Sequence, residues 1–274
     1  MMADSKDRGE MSFLDHLEEL RWHLVRSSLA IVVFAVVAFL AKGILFDQII
    51  FGPKQTDFPT YRFFCDLSRA IGIKEVFCLE EMPFRILNTR MAGQFSTHIW
   101  VSLIAGFILA FPYIIWEIWR FVKPGLHDNE RRYSRLILVF AAILFGLGVL
   151  FGYYLIIPLS IQFLGTYNIS NEVNNLIDLL SYISTVATVT LAAGLIFELP
   201  IIVYFLARNG LLTPEWMRSY RRHAFVLTLV LSAVITPPDI SSQILVALPI
   251  VVLYEISIGI CARVERNMEK REVK

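Results

Sequence analysis

Long uncharged, mostly apolar runs separated by short charged clusters make up this chain, and the distance between charges is the measure that defines its elements. Uncharged residues extend from Ser27 to Ala41, from Met91 to Trp116, from Leu136 past Ile157, and from Leu179 to Ala207 with Glu198 as the single interruption. A hydrocarbon core about 30 Å thick takes roughly 20 apolar helical residues per crossing, so these runs predict four spans. The last apolar region, between Arg222 and Arg263, is too long for one crossing and contains Thr236-Pro237-Pro238-Asp239. Two adjacent prolines end a helix, so this region predicts a hairpin of two further helices and brings the total to six. The first arm, Ala224 to Ile235, is short for a bilayer and predicts a thin side to the molecule.

Ahead of the first run the polar pattern changes. In the stretch Ser12 to Val33, His16, Glu19, His23 and Arg26 recur at steps of three, four and three, while Leu17, Leu20 and Leu24 occupy another helical face. A polar stripe directly below an apolar run requires a partner. Ser12 followed by Asp15 is a capping signal for an amphipathic segment, residues 1–23, expected to lie at the membrane surface before turning inward.

Composition supports the membrane reading: 56% of the 274 residues are hydrophobic, 18% are charged and mean hydropathy is +0.61. Basic residues set an orientation. Four lie in the N-terminal segment through Arg26, five in 120–135, four in 208–222 and five from Arg263 onward, whereas 159–178 and 237–240 carry none. Retention of Lys and Arg on the cytoplasmic side places both termini there, with 263–274 as a tail. The loop from Lys42 to Arg90, with seven basic and six acidic residues, runs against this count, although long loops cross largely regardless of charge. The first apolar run lacks a clean cleavage site, so the first span is expected to stay attached. A net charge of +1 gives no footprint for nucleic acid.

The 43–90 loop has enough apolar content to fold as an external cap, and it holds Cys65 and Cys78; the third cysteine, Cys261, lies at the cytoplasmic end of the last span. In an oxidising compartment the pair can form a disulfide; the alternative is two buried thiols in a helical cap. Pro112 and Pro158 predict bends. Gly148 and Gly152 have the spacing of a close helix crossing, most simply a packing feature.

No phosphate loop, zinc helix or nucleophile elbow occurs, and the five histidines show no ligand spacing beyond His16 and His23, which gives no cofactor, no metal and no enzyme class. The acids are more informative. Glu198 lies ten residues from Arg208, roughly 15 Å along a helix and so near the bilayer centre, where a carboxyl must face protein or water, or serve as interhelical glue. Pro200 beside it frees a backbone carbonyl. Glu117, between Trp116 and Trp119, reads as an interfacial anchor with its head in water, and Glu255 lies near the same boundary. Glu130, followed by Arg131, Arg132 and Arg135, reads first as a carboxylate paired with its neighbours.

Four separated motifs, His16-Leu-Glu-Glu-Leu-Arg-Trp-His-Leu24, Trp119-Arg-Phe-Val-Lys-Pro-Gly-Leu-His-Asp-Asn-Glu-Arg-Arg132, Phe197-Glu-Leu-Pro200 and Thr236-Pro-Pro-Asp-Ile-Ser-Ser-Gln243, occur in the order found in one family. In them the chain resembles TatC, the core membrane receptor of twin-arginine translocation, over nearly its whole length. The resemblance implies an all-α polytopic protein of the bacterial inner membrane, with six bent spans around a concave face. It further implies binding of signal peptides with a paired-arginine motif, and export of folded proteins with TatA/TatB-type single-span partners on the proton gradient, in an oligomeric assembly. By motif, Glu19 and Glu130 receive the two arginines, with Arg21 and Phe121 beside them. Glu198 is the intramembrane acid, and Tyr153, Asp239 and Gln243 fall where partners dock. The first external loop, with its cysteines, is more elaborate than the family's usual version. A rival class, an ion-coupled small-solute carrier with Glu198 as proton site, lacks the inverted repeat it needs.

Overall fold

A computed structural model describes residues 13–72, 78, 84–122, 134–167, 170, 176–235 and 240–272. The helices are α1 (Phe13–Leu40), α2 (Pro59–Ile71), α3 (Gly93–Val122), α4 (Ser134–Phe151), α5 (Ile157–Thr166), α6 (Leu179–Phe197), α7 (Leu199–Arg208), α8 (Pro214–Ser219), α9 (Arg221–Ile235) and α10 (Ile240–Glu272). Two three-residue strands, β1 (Arg85–Leu87) and β2 (Leu176–Asp178), pair in parallel with Ile86 opposite Ile177. They are an exception to the all-helical expectation. Among the described residues, five helical stretches are long and apolar enough to cross a membrane: Leu17–Leu40, Gly93–Phe121, Ile137–Thr166, Leu179–Arg208 and Val246–Met268. The 15 residues of α9 fall short of that length, since they reach roughly 22 Å at 1.5 Å per residue.

The helices pack in two groups, α1 with α3 and α4 with α6 on one side, and α7, α8 and α9 with α10 on the other. α1 and α3 run antiparallel: His98, near the start of α3, donates to the Phe39 carbonyl at 3.0 Å and stacks on the Phe39 ring, while His23 meets Glu117 at the opposite end. Gly106 makes their close approach possible, because a Cβ there would lie 2.6 Å from the Ala35 backbone nitrogen. In lipid there is little hydrophobic drive for helices to associate, so small residues that admit close backbone contact carry much of the packing.

The prolines act differently from one another. α3 runs unbroken through Pro112. Ahead of Pro158 the helix widens into π-helical turns over Gly152–Ile156, and α5 then starts with the proline in its first turn, where the missing N–H costs nothing. Pro200 occupies the equivalent place in α7, and the fourth span breaks at Glu198 between α6 and α7. α1 is likewise one helix from Phe13, with no turn separating a surface segment from a span, and α10 continues as helix through the basic tail to Glu272.

One end of the molecule is closed by a cap built on a second π-helical segment, Gly43–Ile50, followed by a short 3-10 turn, Gly52–Lys54, and α2. The last carbonyls of a helix lack intrahelical donors. Here tyrosines from elsewhere in the fold supply them. Tyr153 Oη donates to the Ile49 carbonyl at 2.7 Å and Tyr182 Oη to that of Ile50 at 3.0 Å. Tyr61 Oη, buried so that its pKa is raised, shares its proton between the Pro53 and Pro158 carbonyls, each 3.0 Å away. Thr60 Oγ1 donates to the Tyr154 carbonyl. Asp178, at the end of β2, caps α6 through the Leu180 N–H and accepts from Thr89 Oγ1 at 2.8 Å, a bond that holds its carboxyl below the usual range.

The main core of buried residues sits under this cap, with Ile50, Phe84, Ile156, Ile157, Tyr182 and Ile183 among its members; a smaller one, around Val203, Met217, Ile258 and Cys261, lies at the other end. Cys65 of α2 is joined to Cys78 by a disulfide, and Cys261 is a buried free thiol. A cross-link closing so short a loop is worth about 3 kcal/mol through the unfolded state. Denatured protein is accordingly expected to show one titratable thiol before reduction and three after it, counted with a thiol-reactive dye. Equal counts would contradict the bridge.

Candidate functional site

At the end opposite the cap, the polar stripe of α1 meets α3. His23 is 7% exposed and Glu117 is fully buried, and Nδ1 of the imidazole lies 2.5 Å from Oε2 of the carboxylate. The other oxygen, Oε1, accepts from Tyr113 Oη at 2.9 Å and from Arg120 Nη1 at 3.5 Å. A carboxylate has lone pairs enough for all three donors, and buried polar groups demand such partners. Helical spacing explains the geometry: Tyr113, Glu117 and Arg120 stand at i, i+4 and i+7 on one face of α3, turned toward α1.

This corrects the expectation for Glu117. It is not an anchor reaching into water but the buried partner that the α1 stripe requires. Of its two tryptophan neighbours Trp116 keeps the interfacial role, 44% exposed with the Arg120 guanidinium 5.1 Å above its ring, whereas Trp119 is buried against Phe205. Sequence alone does not show which face of α3 meets α1; the signal available was two ionisable residues, His23 and Glu117, at similar depths on consecutive spans.

Above the buried pair opens a pocket of about 430 Å³ lined by Glu19, Trp22, His23, Arg26 and Arg120. Glu19 is half-buried, and its Oε1 lies 4.0 Å from His23 Nε2, on the side of the ring away from Glu117. Arg21 points outward, pairing with Glu18 at 3.2 Å and lying 5.6 Å from the Trp22 ring centroid. Phe121 sets its ring edge-on to His23 at 6.1 Å. Glu19, Arg21 and Phe121 are thus all at this rim, with Glu19 facing into the pocket. Glu130 lies outside the described residues, as does Asp239.

The remaining candidates are elsewhere. Glu198 is 6% exposed at the break between α6 and α7, and its Oε1 has no hydrogen-bond partner among the described residues. Gln243 Nε2 donates to the Leu229 carbonyl at 3.0 Å, tying α10 to α9, and Arg221 Nη2 donates to Glu255 Oε2 at 2.7 Å between the same helices. Tyr153 belongs to the cap. The close crossing at Gly148 and Gly152 is between α4 with its π-helical extension and α6, against Ala193 and Gly194. Among the described residues no three His, Cys, Asp or Glu side chains gather as a metal site.

Fold and rim together define a multi-pass α-helical membrane protein with a charged pocket at one end of its bundle. A sequence profile described as Sec-independent protein translocase protein (TatC) matches residues 15–249. The Sec-independent protein translocase protein TatC of Blattabacterium sp. subsp. Periplaneta americana is 41% identical over 262 residues, 95% of this chain and 98% of that protein. That of Campylobacter jejuni is 34% identical over 94% of this chain and 96% of its own length. Two solved structures of the twin-arginine translocase receptor TatC superpose with TM-scores of 0.69 and 0.71, at 31% and 32% identity, covering 91% and 89% of this chain and 99% and 98% of theirs. The chain belongs to the TatC family and is a membrane component of Sec-independent, twin-arginine protein translocation.

Proposed function

We propose that this chain is the signal-peptide receptor and assembly core of a twin-arginine translocase in a bacterial inner membrane. In this reading α9 is a sixth, short span, both termini are cytoplasmic, and the rim pocket opens to the cytoplasm. Glu19 and Glu130 each accept a guanidinium of the paired-arginine motif, with Arg21 and Phe121 at the edge of the site. TatA/TatB-type single-span subunits dock on the membrane face, in contact with Glu198, Tyr153, Asp239 and Gln243, and folded cargo leaves at the expense of the proton gradient.

The observation that carries the reading is the state of Glu19. Its carboxylate lines an open pocket, and its nearest described base is His23 at 4.0 Å. Glu117 meanwhile engages His23 and Arg120, two of the basic side chains that line the same pocket. A carboxylate left open beside a pocket of this size accepts charge-assisted hydrogen bonds from an incoming guanidinium, worth about 1.5–3 kcal/mol each. Charge reversal therefore gives the test. Glu19→Lys and Glu130→Lys are each expected to lower photocrosslinking of a twin-arginine signal peptide more than roughly tenfold, with the variants still inserted and monodisperse. Undiminished crosslinking in either would remove that residue from the site. The rival carrier reading rests on the broken fourth span, and proton-dependent solute uptake by the purified chain in liposomes would establish it.

A further inference from the structure

The rim holds an acceptor that the paired-arginine motif does not name. His23 Nδ1 faces a carboxylate oxygen at 2.5 Å, and a carboxylate accepts, so Nδ1 carries a proton. In the neutral imidazole the other nitrogen, Nε2, is then a lone pair. That nitrogen borders the rim pocket, 4.0 Å from Glu19 Oε1. Orientation of an imidazole by a buried carboxylate, with its second nitrogen presented to a ligand, fixes both tautomer and direction. Tyr113 and Arg120 hold Glu117 in turn, so the ring cannot swing without breaking buried hydrogen bonds.

We propose that His23 Nε2 is a second acceptor beside Glu19 for one guanidinium of the bound peptide, and that the guanidinium and a proton compete for it. This rests on the receptor reading above and adds a residue and a linkage to it. With Nε2 unprotonated, one guanidinium donates to Glu19 Oε1 and to Nε2 together. With Nε2 protonated, the imidazolium turns a donor toward Glu19 and repels the incoming cation. Among the described residues, the charged or titratable groups facing the ring are Glu19 and Arg26 from its own helix, and Glu117, Arg120 and, through Glu117, Tyr113 from α3. A proton and a guanidinium cannot occupy Nε2 together, so raising the pH favours the peptide.

The experiment measures the dissociation constant of a synthetic twin-arginine signal peptide for the full chain in lipid nanodiscs, at pH 8 and pH 6. For the native protein, affinity is expected to fall roughly tenfold over that interval, the value of one charge-assisted acceptor. His23→Gln, whose amide can still bond Glu117 and does not titrate, is expected to bind with little pH dependence, while His16→Gln keeps the native profile. Calorimetry on the native protein alone, in two buffers of different protonation enthalpy near pH 6.5, is expected to show proton release on binding. An unchanged pH profile in His23→Gln, or no proton release by the native protein, overturns the proposal. Glu19→Gln separates the levels: if it binds as the native protein does at pH 8, the receptor assignment of Glu19 fails and this inference with it. If it loses binding while His23→Gln keeps the native profile, the receptor reading stands and the inference alone is wrong.

Discussion

Replacing Glu117 by leucine is expected to destabilise the folded protein by about 2–6 kcal/mol, roughly 1–3 kcal/mol for each of the two neutral donors it leaves without an acceptor. The cost comes from what remains. His23 and Tyr113 lose their acceptor inside the α1–α3 contact, and Arg120 loses the carboxylate that draws it inward. Glu117→Gln keeps the volume and one acceptor oxygen, and is expected to lose less. The double variant His23→Leu/Glu117→Leu also removes the buried imidazole donor that the single change strands, leaving only Tyr113 and Arg120 without the acceptor, and is expected to be more stable than Glu117→Leu alone. Thermal unfolding followed by loss of monodisperse protein on gel filtration gives the comparison. Additive losses in the double variant would show that the pair is not a coupled unit.

The second large effect is expected at Gly148. A Cβ there would lie 2.6 Å from the Ala193 carbonyl oxygen, 2.8 Å from Phe197 Cβ and 2.9 Å from Gly194 Cα. None of these atoms is the far end of a flexible side chain, so α4 and α6 must separate. Gly148→Ala is therefore expected to cost about 1–3 kcal/mol, in the range of overpacking, and Gly148→Leu more. Gly146, two residues earlier in the same helix, has nothing within 4 Å of its hypothetical Cβ. Gly146→Ala is expected to be neutral or stabilising by about 0.5–1 kcal/mol, from the better helix propensity of alanine. Equal unfolding midpoints for the two alanine variants would show that the crossing is not tight.

These two sites mark what was legible in the sequence. Spacing between charges located the apolar helices, because a charge in hydrocarbon is costly whatever its neighbours do. The Gly148 and Gly152 spacing was readable as packing, since close approach requires glycine in any helix partner. Partner choice was not readable in the same way. Glu117 sits among tryptophans in sequence and is judged interfacial there, while its true neighbour, His23, lies in another helix. The stripe on α1 showed that a partner was needed but carried no information about which residue supplies it. The ribbon of Arg85–Leu87 with Leu176–Asp178 escaped for a similar reason, as three-residue strands have no periodicity to detect and their pairing joins distant loops. Prolines gave positions but not outcomes: Pro112 leaves α3 continuous, whereas Pro158 and Pro200 each begin a new helix.

The interruption at Glu198 assigns the two halves of one span to different companions. α6 belongs with α4, while α7 belongs with α10. The two blocks share this span, and they also meet where Val246 and Ile250 of α10 enter the main core and where Trp119 of α3 packs on Phe205 of α7; the joint itself holds a carboxyl oxygen with no hydrogen-bond partner among the described residues. A change of angle at that joint therefore reorients α7 and α10 against α4 and α6 while leaving the helix contacts inside each pair in place.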